Sequence, residues 1–199
     1  MLIGVTSASL TFMGVIGHTE NVVNDTEKEG DEGDEMAETT EDWHIVFKGF
    51  SFWVKPAGTA IIHESGCLNV RSCDDYLIQI DVEEKTVDDF WDNRAERVQS
   101  IENSGYVIVL PPEKTHIGGK EYVKYIVSLA NERGAAFENS YFGVLIRQAS
   151  DKERILTTIR FDGTDMDALN AEQKDAIYEK AFAQARAIAD SAVETEETN

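Results

Sequence analysis

Residues 121–149 read EYVKYIVSLANERGAAFENSYFGVLIRQA. Two runs dense in aromatic and β-branched residues, EYVKYIVSLA (121–130) and SYFGVLIRQA (140–149), flank the turn-like NERGAAFEN (131–139). A link that short joins antiparallel neighbours, because parallel strands need a crossover of a dozen residues or more. From Tyr141 to Ile146 the second run is apolar on both faces, as suits a central strand covered on each side.

Working outward, YVIVLPPE (106–113) and RILTTIRFDG (154–163) add a strand on either flank, set off by HIGGK (116–120) and SDKE (150–153). Further upstream, YLIQIDVE (76–83) places Tyr76, Ile78, Ile80 and Val82 on one face and Gln79 and Asp81 on the other. HIVFKGFSFWVKPAG reads as two short strands closed by Pro56 and Gly58, and TAIIHESG and CLNVRS as two more. Between strands, Thr86 opens a helix with Asp89 as its capping-box partner. Val87, Phe90, Trp91, Ala95, Val98 and Ile101 follow helical spacing and read as core, and Gly105 in NSGY ends the helix. A last helix runs from Asn170 to about Val193 with the stripe Ile177, Ala181, Ala185, Ile188 and Ala192. Residues 43–193 therefore read as one α+β domain, an antiparallel β-sheet flanked by two helices, with 194–199 as a frayed tail.

The first 42 residues differ in kind. Residues 1–17, MLIGVTSASLTFMGVIG, carry no charge and are expected to be a signal peptide or a membrane anchor. The Lys or Arg cluster usual before such a core is missing. Residues 18–42 hold eleven Asp or Glu against one Lys, a net of −10 out of the chain's −20, and read as a disordered acidic linker. So acidic a chain repels phosphate backbones and anionic lipid, which disfavours nucleic acid and leaves membrane contact to the N-terminal segment alone.

The opening GFSFWVKPAG, with Gly49, Phe50, Phe52, Pro56 and Gly58, resembles the first strand of the PsbP-like superfamily. GGKEYVKYIV, with Gly119, Lys120 and Tyr122, is similar to its glycine-then-aromatic strand, and AFAQARAIADSA to its closing helix. The resemblance runs through most of residues 45–192 in element order. It implies an antiparallel sheet between helices and a binding or assembly role rather than catalysis. No photosystem-docking or Ran-binding motif of that superfamily is matched, so no functional residue is carried over.

Chemistry is sparse. His63, Glu64 and Cys67 lie close in HESGC, but a Cys–His nucleophile also needs an oriented base and an oxyanion loop, and neither is recognisable. Cys67 and Cys73 are bridgeable only if the chain turns between them. From Asp162, the EF-hand pattern fails at its third, sixth and twelfth positions, where Thr164, Asp167 and Gln173 stand. Lys124, Arg147 and Arg160 sit in apolar strands as a candidate cationic patch. No cofactor motif occurs. The favoured reading is a non-enzymatic extracytoplasmic module, tethered or secreted, that binds an unknown protein partner. The loops PPEKTHIGGK and NERGAAFENS are the expected contact, through Lys114, His116, Arg133 and Glu138. The alternatives are a small thiol hydrolase using Cys67 and His63, and a cytoplasmic adaptor.

Overall fold

A computed structural model describes residues 43–54, 59–62, 66–71, 76–161 and 164–195. The N-terminal segment, the acidic linker and residues 196–199 lie outside the described residues. In chain order the elements are β1 (Trp43–Phe47), β2 (Phe50–Val54), β3 (Thr59–Ile62), β4 (Leu68–Arg71), β5 (Leu77–Glu83), α1 (Val87–Trp91) and α2 (Arg94–Asn103). There follow β6 (Tyr106–Ile117), β7 (Lys120–Ala130), β8 (Ala136–Gln148), β9 (Arg154–Arg160), α3 (Ala171–Asp190) and β10 (Val193–Glu194).

Seven strands make one antiparallel sheet in the order β3-β4-β5-β9-β8-β7-β6. β8 lies inside it and is apolar on both faces: Tyr141 and Leu145 join one buried cluster, Val144 and Ile146 the other. The alternation in β5 holds too, with Ile78 and Ile80 at 0% exposure. Fully burying a side chain of this kind stabilises by roughly 1.5–3 kcal/mol, so these rows fix strand register.

One face is covered by α3 together with a three-stranded sheet, β1-β2-β10, which contributes Phe47, Phe50, Phe52 and Val54 to the larger cluster. The β1–β2 hairpin turns at Lys48 and Gly49, both at positive φ (46° and 76°), as a two-residue turn that matches strand twist requires. The opposite face is covered over β6, β7 and β8 by α1 and α2, through Val87, Phe90, Trp91 and Ile101. α3 starts at a capping box between Asn170 and Gln173 and buries Tyr178, Ala181, Phe182, Ala185, Ile188 and Ala189. It rests close on β8: a Cβ at Gly143 would stand 3.3 Å from Phe182 Cζ. At its end, Arg147 donates to the Ala189 carbonyl, and the Asp190 carboxylate takes the Tyr122 hydroxyl at 2.5 Å.

Two expectations need correction. The helix opened by Thr86 has its capping box with Asp89 but is two helices, broken at Asp92 and Asn93. Asn93 Nδ2 donates to the Asp89 carbonyl and Arg94 Nη1 to the Trp91 carbonyl, occupying acceptors that a continuous helix would use. The tail does not fray at Glu194. Val193 and Glu194 pair with β2, and Thr195 N donates to the Gly49 carbonyl at 2.8 Å, because the open side of β2 offers unpaired acceptors.

A cleft at the bulged sheet edge

β6 ends the seven-stranded sheet, and its sequence undoes its own pairing. Ile108 pairs with Val127, Leu110 with Ile126 and Glu113 with Lys124, so the register slips on each side of Leu110. Pro111 and Pro112 occupy the second slip. Neither has an N–H to give to β7, so the ladder opens there, as prolines in strands require. At this edge, side chains from both faces of the sheet line one space.

The result is a cleft of about 740 Å³. Its apolar lining comes from Trp91 of α1, from Leu110, Pro111 and Pro112, from Tyr125 and Ile126 of β7, and from Tyr178 and Phe182 of α3. Tyr125 is held by stacking on Phe90, ring centroids 5.5 Å apart. Leu110 stays 39% exposed at the lip. Pockets of this size and character suit small ligands or short peptide segments.

Charge is layered around the lining. Lys124 Nζ lies 2.9 Å from Glu179 and 3.9 Å from Glu113, and 5.8 Å above the Phe182 ring. Lys114 Nζ lies 2.7 Å from Asp88 and 2.9 Å from Glu121. The hydrogen bond to Asp88 pushes the Lys114 ammonium above the usual lysine range, so it is charged throughout the physiological range. The lysine side chains are tucked in, at 19% and 28% exposure, while those of Glu113, Glu179 and Asp88 stand out at 66%, 72% and 66%. Asp175 adds another carboxylate to the wall.

The four residues expected in contact loops do not come together. Lys114 and His116 belong to β6 itself, paired with Val123 and Glu121, because residues expected to loop continue the edge strand up to the Gly118–Gly119 turn. Lys114 lines the cleft, and His116 Nε2 lies 3.0 Å from Glu121 beside it. Arg133 is exposed in the turn after β7, and Glu138 lies in β8. Lys114 stands opposite Val123 and Ala136 opposite Ala130, so seven residues of β7, roughly 24 Å at about 3.4 Å per residue, lie between Lys114 and the second group.

The candidate cationic patch is likewise divided. Lys124 and Arg147 face α3 and meet Glu179 and Asp190, whereas Arg160 pairs across from Phe142 on the opposite face. Cys67 is buried and receives Gln79 Nε2 at 2.8 Å, while His63 and Cys73 lie outside the described residues. Of the acidic turn after β9, Asp165 caps a short helical turn and Asp167 accepts from Asn139 N and the Tyr141 hydroxyl. Among the described residues no three His, Cys, Asp or Glu are grouped to hold a metal. Trp91, read as core, is half-buried and forms one wall of the cleft. Two signals for the site stood in the sequence: the Pro111–Pro112 pair inside a strand, and Asp175, Glu179 and Phe182 on one side of a helix.

No family model matches the chain, and no curated protein matches it significantly. Among solved structures, the fold is similar to the solution structure of cyanobacterial PsbP from Synechocystis sp. PCC 6803. The two share 10% identity at a TM-score of 0.49, over 82% of this chain and 97% of that one.

Proposed function

We propose that this chain is a non-enzymatic binding or assembly module that engages a protein partner at the bulged β6 edge. The observation that carries the reading is the cleft: an apolar lining open at a sheet edge and ringed by charge. Both lining lysines are already paired with carboxylates, and the apolar walls are open at a sheet edge, an arrangement suited to holding a segment. Lys114, the one expected contact residue that lines the cleft, keeps its place in the reading.

A photo-crosslinking amino acid at Leu110 in the full chain tests it in the native cell. Capture of one discrete partner from Leu110, and none from the same probe at exposed Glu96 on α2, supports the cleft. Equal capture from both positions, or turnover that depends on Cys67 and His63, overturns it.

We place the module outside the cytoplasm, tethered or released through residues 1–17. The support is the uncharged run followed directly by the acidic linker. Among the described residues, no helix is long and apolar enough to cross a membrane. Fractionation of cells making the full chain should find it with membranes or outside the cytoplasm. Intact chain in the soluble cytoplasmic fraction would favour the adaptor reading.

A further inference from the structure

We infer that the segment held in the cleft carries an apolar side chain flanked by Lys or Arg. This rests on the cleft being the binding site and adds the chemistry of its occupant. The apolar half follows from the lining: Trp91, Leu110, Pro111, Pro112 and Phe182 gain by losing contact with water, and the volume of about 740 Å³ admits more than one side chain. The basic half follows from where the charges stand. Lys114 and Lys124 are drawn inward and matched by Asp88, Glu121 and Glu179, and the wall holds two further carboxylates, Glu113 and Asp175, so five acids stand against two lysines and the more exposed side chains are the acidic ones. A ligand approaching from solvent therefore meets negative charge first.

Two other features narrow the occupant. Pro111 and Pro112 present no N–H at the outer edge of β6, so a partner strand cannot pair continuously along it, and specificity falls to side chains entering the cleft. A net charge of −20 disfavours a second copy of this chain, and polyanions likewise. A cationic, partly apolar peptide segment of another protein satisfies all of these conditions.

Fluorescence anisotropy with labelled, end-blocked hexapeptides tests the inference on the full chain. One probe alternates Lys with Leu or Phe, a second replaces every Lys by Glu, and a third replaces every apolar residue by Gly. The first should bind, and more weakly as salt rises. Glu113→Lys with Glu179→Lys should weaken it about tenfold, from two surface ion pairs turned repulsive. Glu96→Lys with Glu102→Lys on α2 makes the same change in net charge and should leave binding within about twofold. Equal loss in both double variants means diffuse attraction to an acidic protein, and overturns the inference. Equal binding of the glycine probe overturns its apolar half. Binding of the Glu probe, competed by the captured partner, overturns its basic half but leaves the cleft as the binding site. Capture from Leu110 failing while the Lys probe binds overturns the earlier reading instead.

Discussion

Asp190→Ala should unlock the end of α3 at a cost set by the charge it strands. The Asp190 carboxylate accepts from the Tyr122 hydroxyl at 2.5 Å and lies 3.3 Å from Arg147 Nε and 3.4 Å from Lys120 Nζ. The Arg147 side chain is only 8% exposed, so without Asp190 its guanidinium keeps the Ala189 carbonyl as its near acceptor but loses its counter-charge. Breaking a buried pair from one side costs about 3–5 kcal/mol. Asp190 is 32% exposed, however, and solvent enters the gap it leaves. The discounted loss, with the Tyr122 hydroxyl orphaned as well, is about 2–3 kcal/mol. Urea unfolding followed by tryptophan fluorescence should show it as a lower midpoint at unchanged slope. Arg147→Met should cost less, since Asp190 keeps Tyr122 and Lys120. The double variant should be more stable than the two losses summed, by roughly 1–2 kcal/mol. A loss from Asp190→Ala under about 0.5 kcal/mol, the size of an ordinary surface change, or strict additivity, would mean that Arg147 does not depend on Asp190 for its counter-charge.

Hydrogen bonds from the Thr86 backbone and hydroxyl hold Asp89 below the usual carboxylate range. The box therefore stabilises fully above the unfolded carboxylate's pKa and is lost as pH falls through the folded one. Asp89→Ala should be less stable than the parent in neutral urea titrations and converge with it in acid. Burial pushes Tyr178 up to about 12 and raises Tyr106, Tyr122, Tyr125 and Tyr141 as well. Phenolate absorbance should lag the normal titration, and stability should fall as pH rises through that range. Five tyrosines ionising near their ordinary pKa in folded protein would contradict the packing. Trimming residues 18–42 should leave the melting temperature unchanged, because β1 begins at Trp43 and the linker's self-repelling charge offers little apolar burial.

Periodicity made the sheet legible. The alternation in YLIQIDVE and the two-faced run from Tyr141 to Ile146 each state how many sides of a strand are buried, and short links state which strands are neighbours. Less was legible where one local rule competes with another. Residues 86–104 carry helical spacing throughout, yet Asn93 and Arg94 spend side-chain donors on the carbonyls that would continue the helix. Val193 and Glu194 look like the start of a charged tail and become a strand only because β2 has an open side. The site was hidden for a related reason. Pro111, Pro112 and the polar residues after them read as a loop, while Gly118 and Gly119 turn the chain tightly enough to keep Glu113–Ile117 paired with β7. No local pattern reports that Trp91 and Phe182, on opposite faces of the sheet, line one cleft at its edge.

The most direct test of the cleft uses the tryptophans as reporters. Trp91 lines it, whereas Trp53 lies on the outer face of the small sheet, 49% exposed and packed on His44 at 4.7 Å. With ¹⁵N-labelled full chain titrated with the purified cross-linked partner or the Lys hexapeptide, the indole N–H resonance of Trp91 should shift saturably while that of Trp53 stays in place. A saturable shift of Trp53 with Trp91 unmoved would put the binding surface on the small sheet and not at the β6 edge.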